Sequence, residues 1–452
     1  MLGYEKEQRS LTRKQKEAIG LLSIGTFLEY FDLMLYVHMA VLLNDLFFPK
    51  YDPFVNSLLN AFAFCSTFVF RPVGAIIFGW IGDNIGRKAT VIITTAIMAI
   101  TCIITATLSP YSEIGIAATI VITLCRVAQG ISSMGEIMGA QIYLTEITKP
   151  PTQYSSVAMI VTASTVGGVA ALGIASIVTS YSFSWRIAFW MGAVIAVIGL
   201  TARTTLRETP VFADAKRQLQ ESLADAIEKG DVNIKKLKNH FLLQEKVDKK
   251  TCLAYFLIEC AWPVSFYFTY SHCSNILKNT FGYTSEQIIH NNFVVSMVNL
   301  GSYIILTYLC YKIYPLILIK FRLLIFWLFA FIYPYLLSTV TSPFEVLFIQ
   351  SFFIIFRPDA FPAVPIYIKH FPIFKRFTYP SCLFALSRAL MHIITSFGLV
   401  FLVKYFGNWG VLFILIPVSI GFTWGILYFE KLDKVVESYP QTSLVTVSAD
   451  SL

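Results

Sequence analysis

The sequence predicts an all-α protein that crosses a membrane about twelve times, its helices grouped as two six-helix bundles. Three observations predict it. Of the 452 residues, 56% are hydrophobic and only 14% charged, whereas a soluble chain of this length carries about 25% charged residues. Apolar runs near or above the ~20 residues that cross a bilayer recur from end to end. A charged stretch divides these runs into two sets of six. The expected organisation is a bundle over 1–206, a linker over 207–250, and a second bundle with a short tail over 251–452.

The first-half spans fall near 18–46, 54–80, 89–109, 113–140, 155–180 and 185–206. Those of the second half fall near 251–276, 288–311, 323–340, 343–367, 378–403 and 409–430. Residues 1–16 are polar and lack the apolar core of a cleavable leader, so none is expected. The linker region around Leu219 and Leu223 has the pattern of an amphipathic helix. A net charge of +8 can signal nucleic acid, but here the cations gather in alternate loops. Arg9, Arg13, Arg87, Lys88, Lys149 and Lys216 lie on one face and Lys50, Lys278 and Lys404 on the other. The positive-inside rule then places both termini in the cytoplasm. No nucleic-acid partner is expected. The eight cysteines are scattered, with no spacing that holds a metal. Neither metal nor cofactor is predicted, and no nucleophile or phosphate motif points to an enzyme.

Charge inside the apolar spans marks the candidate site, because ionisable groups at membrane depth are costly. In the first span Glu29 stands ~16 Å past the helix start at 1.5 Å per residue. Asp32 lies at i+3 on the same face, and Tyr36 continues that face. Arg71 and Pro72 interrupt the second span. Arg71 reads either as a functional cation or as the partner of Glu29 or Asp32. In the fourth span Arg126, Gln129, Gly130 and Ser133 form one polar stripe, with Glu136 seven residues beyond Gln129. That stripe has to face a cavity or another helix. In the second half Glu259, His272, Asn299, Arg357, Asp359, Arg388 and His392 are individually weaker candidates. Trp262, Phe266, Tyr267 and Tyr270 can cradle a quaternary ammonium or simply pack. The run Arg357-Pro358-Asp359, with Pro362 and Pro365, predicts a broken tenth helix.

The most specific stretch closes the second span. Gly79, Asp83, Gly86, Arg87 and Lys88 complete G-x-x-x-D-x-x-G-R-[KR]. Gly79 lets a neighbouring helix approach, Gly86 suits an unusual turn, and Asp83 can pair with a helix end or Arg87. These five residues are the expected conformational gate.

That pattern resembles the loop between the second and third helices of the major facilitator superfamily. Further segments narrow the resemblance to its metabolite:proton symporter family. They are Glu29-Tyr30-Phe31-Asp32, Arg71-Pro72-Val73-Gly74, the fourth-span Arg126-to-Ala140 run, Ser184-Trp185-Arg186 and Leu206-Arg207-Glu208-Thr209-Pro210. Phe371-Pro372 with Arg376 and Thr378 is similar to the segment before that family's eleventh span. The second copy of the gate loop is missing: Tyr311-Lys312-Ile313-Tyr314-Pro315 lacks the Asp and the Gly-Arg pair.

The resemblance implies the major facilitator fold, a bacterial inner-membrane location and proton-coupled uptake of a small polar metabolite. A proline/betaine-type osmolyte leads, with a dicarboxylate of the α-ketoglutarate or citrate kind as the alternative. A non-transporting sensor is the rival from another class. On this reading Glu29, Asp32 and Glu136 include the proton carrier, while Arg71, Arg126, Gln129 and Tyr36 bind substrate. The expected partners are the metabolite, a proton and the lipid bilayer, with the chain acting as a monomer.

Overall fold

A computed structural model describes residues 8–48, 68–181, 184–204, 208–209, 213–214, 216–217 and 246–438. The first half contributes α1 (Arg13–Phe47), α2 (Arg71–Asn84), α3 (Arg87–Thr107), α4 (Ile116–Ile147), α5 (Thr152–Tyr181) and α6 (Arg186–Arg203). The second contributes α7 (Lys249–Phe281), α8 (Ser285–Lys312), α9 (Pro315–Thr339), α10 (Pro343–Phe356), α11 (Val364–Ile368), α12 (378–406) and α13 (Leu412–Ser438). Among the described residues eight helices are long and apolar enough to cross a bilayer, and two shorter apolar helices accompany them. Most of the expected second span, and the expected amphipathic helix of the linker, lie outside the described residues.

Local chemistry sets the helix boundaries. Pro315 and Pro343 open α9 and α10 at first-turn positions, where the missing N–H costs nothing. Thr284 and Gln287 form a reciprocal capping box at the start of α8. Asp248 caps α7 through the Thr251 amide, and the Tyr428 hydroxyl donates to it from α13. That hydroxyl, with the Thr251 and Lys250 amides, holds the Asp248 carboxyl below the usual carboxylate range. The tenth span is broken as its prolines predict: α10 stops at Phe356 and α11 resumes only at Val364. Two further helices carry π-helical turns, Tyr267–His272 within α7 and Ile394–Gly398 within α12.

Large apolar side chains such as Leu328, Phe344 and Phe348 point outward, as a bilayer-facing surface requires. Inside, the main core of the first half lies around Phe31 and Trp185 and that of the second around Val264 and Tyr333. A third joins the halves, bringing Tyr154 of α5 together with Tyr255, Tyr367 and Phe377. Polar contacts cross the same seam. Tyr311 donates to the Arg9 carbonyl at 2.9 Å, and the Tyr154 and Tyr314 rings meet edge to face at 6.1 Å. The Thr162 and Thr307 hydroxyls are 3.0 Å apart between α5 and α8. A single neutral hydrogen bond contributes about 1 kcal/mol. Thr162→Val is therefore expected to lower the thermal midpoint by only a few degrees, read by intrinsic fluorescence in detergent.

Candidate functional site

Two features bring polar groups from both halves together. The first is the joint between α2 and α12. The Asp83 carboxylate accepts from the Phe377 amide at 3.0 Å, the Thr378 amide at 2.8 Å and the Thr378 hydroxyl at 2.7 Å. Gly82 makes this approach feasible: a Cβ there would stand 2.3 Å from the Phe377 ring. Gly79 packs on Thr378 in the same way. Gly86 turns the chain at φ 150°, a conformation that disfavours any side chain, and α3 starts at once.

Arg87, fully buried, ties the joint together. It lies 3.6 Å from Asp83 and 3.2 Å from Glu146, and donates to the Gly82 and Ile373 carbonyls at 2.5 and 2.9 Å. Glu146 also meets Arg376 at 3.4 Å and accepts from the Thr209 hydroxyl at 2.7 Å. Glu208 accepts from the amides of Arg87 and Lys88 at 3.1 and 3.3 Å, satisfying the open end of α3. All five expected gate residues thus lie at one joint. The sequence reading missed Glu146. It quoted Glu208, Thr209 and Thr378 only within segments of family resemblance, and Arg376 there and among the loop cations, and these supply the other half of the contacts.

The second feature is a cavity between the halves in two parts, of about 80 and 50 Å³, that share part of their lining. Tyr30 of α1, Val161 and Ser164 of α5, Trp262 of α7 and Tyr303 of α8 line both parts. Trp262 stacks on Phe266, and Phe266 meets Tyr270, giving an aromatic wall. Two opposite-charge pairs flank it. Arg388 reaches Glu259 at 2.8 Å with its guanidinium 5.3 Å from the Trp262 ring. Arg357, 6.0 Å from the same ring, donates to the Tyr303 hydroxyl at 2.8 Å, and Tyr303 donates to Asp359 at 2.5 Å. Arg322 holds the break beneath them by donating to the Ile355 carbonyl at 3.0 and 2.8 Å and, at 3.5 Å, to those of Arg357 and Phe361.

The first-half candidates sit elsewhere. Glu29 and Arg71 are both buried and 3.9 Å apart. Arg126 donates to Gln129 at 2.7 Å along α4, so part of the polar stripe is satisfied within its own helix. Neither Arg71, Arg126 nor Gln129 lines the two cavity parts. The backbones of Asp32 and Tyr36 in α1 and of Glu136 in α4 are helical, but their side chains lie outside the described residues. The second-half residues that sequence reading ranked lower form the cavity's charged lining.

A family model described as Major Facilitator Superfamily matches residues 22–371. The chain belongs to the major facilitator superfamily. Members of this superfamily are membrane transporters rather than enzymes. The chain is 34% identical over 241 residues to the inner membrane metabolite transport protein YhjE of Escherichia coli, covering 50% of this chain and 54% of the relative. It is 31% identical over 224 residues to the proline/betaine transporter of Salmonella typhimurium, covering 48% and 45%. The matches span about half the length of these curated relatives. Among solved structures, the proton:xylose symporter XylE shares the fold, with a TM-score of 0.73 at 14% identity over 92% of this chain and 95% of that one.

Proposed function

We propose that this superfamily member is a proton-coupled symporter importing a zwitterionic osmolyte of the proline/betaine class by alternating access. One observation carries the reading: the central cavity sets an aromatic wall beside two charge-balanced pairs, Glu259–Arg388 and Arg357–Asp359. Aromatic faces attract an ammonium, and arginine forks take a carboxylate. The names of the proline/betaine relatives support the same class. A dicarboxylate would draw on both arginines flanking Trp262. Each of them already has an acid, however, so the cavity offers no net positive charge to a dianion.

In this reading 1–206 and 251–452 rock about the cavity, joined by 207–250, with both termini and the Asp83 joint on the cytoplasmic side of an inner membrane. The chain works as a monomer. The joint is the closed cytoplasmic gate, and Tyr311 and Tyr314 reinforce the seam where the second copy of the gate loop is missing. The sequence assigns the proton to Glu29, Asp32 or Glu136, and Glu29 has in Arg71 a partner that can stabilise its charged form.

The test is uptake by proteoliposomes under an imposed pH gradient, with labelled proline and betaine set against α-ketoglutarate and citrate. Gradient-dependent accumulation of a zwitterion is the expected result. Accumulation of a dicarboxylate alone would reverse the substrate assignment. Silence of folded, oriented protein toward a broad solute panel would favour the sensor.

A further inference from the structure

The two buried acid–arginine pairs differ in what they touch. Glu29–Arg71 does not line the cavity, whereas Glu259 and Arg388 both line its inner part beside Trp262 and Phe384. Arg388 sits over the Phe384 ring, its guanidinium carbon 3.3 Å from the ring centroid. Its Nη1 alone serves Glu259, donating to the carboxylate at 2.8 Å and to the Glu259 carbonyl at 3.4 Å. A guanidinium has five N–H donors, so this one has donors left for a second carboxylate entering from the cavity. Among the described residues, Asp359 from the break after α10, Tyr367 from α11, and Tyr255 and Cys260 from its own helix also act on the Glu259 charge. Arg388 is the cation among them.

We propose that Glu259, which lines the cavity, is the coupling acid in place of Glu29, Asp32 or Glu136, and that Arg388 is the group that exchanges between it and the substrate carboxylate. The proposal rests on the symport reading above. The cycle balances with one proton per substrate. A proton from the outer side adds to the Glu259 carboxylate and gives the neutral acid, which releases Arg388. The substrate carboxylate pairs with Arg388 in its place. After reorientation the substrate leaves, Arg388 returns to Glu259, and the proton departs inward. A substrate without a carboxylate cannot displace the acid, so the same exchange enforces selectivity.

Glu259→Gln in proteoliposomes tests this. The substitution removes the titrating group and keeps its size. Gradient-driven proline or betaine accumulation should fall at least tenfold, and the counterflow that remains at equal pH on both sides should lose its dependence on pH. Undiminished gradient-driven accumulation overturns the proposal. So does counterflow that keeps the pH dependence of the unmodified protein, because Glu259 would then not be the group that titrates. If Glu259→Gln does not fold, Glu259→Asp carries the test. Its uptake-versus-pH curve should move by at least half a unit, and an unmoved curve overturns the proposal. Failure of the symport reading is distinguishable: the unmodified protein would perform counterflow yet ignore the gradient.

Discussion

Asp83→Ala is expected to raise the alkylation rate of Cys382 by about tenfold to a hundredfold, and to lower gradient-driven uptake with it. The reason is the number of bonds that converge on one carboxylate. Asp83 accepts three, two from the backbone at Phe377 and Thr378 and one from the Thr378 hydroxyl, across the seam between the halves. A hydrogen bond to a charged group contributes about 1.5–3 kcal/mol. Even the net loss of one such bond shifts a two-state equilibrium about tenfold, since each ~1.4 kcal/mol is a factor of ten. Removing the acid also takes one of the carboxylates beside Arg87, which is fully buried and 3.2 Å from Glu146. Cys382 is a suitable reporter because it is a free, partly buried thiol one turn along α12 from Thr378. The measurement is maleimide labelling in a protein whose other cysteines are serine. Asp83→Asn keeps one acceptor oxygen and should fall between the two. Equal labelling of all three proteins would mean that the joint does not hold this face closed.

The gate was legible in the sequence because its determinants are local. Asp83, Gly86 and Arg87 lie within one turn of chain, and the turn itself, with Gly86 at φ 150°, needs glycine. Its partners were not legible in the same way. Glu146 is 59 positions from Arg87, and Thr378 is 295 from Asp83, so no periodicity links them. The cavity shows the same limit. Glu259 and Arg388 look unremarkable as single charges in apolar runs, and they become a pair only when α7 packs on α12 across 129 positions. Conversely, the stripe on α4 looked promising because Arg126 and Gln129 share a face. That spacing also lets one side chain satisfy the other, and the structure takes that option. Tyr311, in the last turn of α8, and Tyr314, just after it, had no legible role. Their hydroxyls act through shape, on the Arg9 carbonyl and the Asp433 carboxylate, rather than through a charge pattern.

Arg322→Met is expected to lower stability by at least about 3 kcal/mol and to weaken zwitterion binding more than tenfold. The break between α10 and α11 leaves carbonyls without helical partners at membrane depth, where water cannot replace them and each unsatisfied group costs several kcal/mol. Arg322, itself buried, reaches the Ile355 carbonyl at the end of α10 and the Arg357 and Phe361 carbonyls within the break. Methionine has a similar reach and none of the donors, so packing is largely kept while the hydrogen bonds go. The cost then divides between unfolding and local rearrangement, and these have separate readouts. Thermal unfolding in detergent reports the first. The second appears in binding, because Arg357 and Asp359 both lie within the break and meet Tyr303 only while it holds its shape. Arg322→Lys should recover part of the stability, since an ammonium can serve one carbonyl well, but less of the binding, because it lacks the fork that spans the gap. If Arg322→Met melts and binds like the unmodified protein, the prolines and the packing of Tyr303 against Phe361 hold the break alone. The loss of both together, with partial rescue by lysine, would establish that one guanidinium on α9 sets the geometry of the cavity's charged wall.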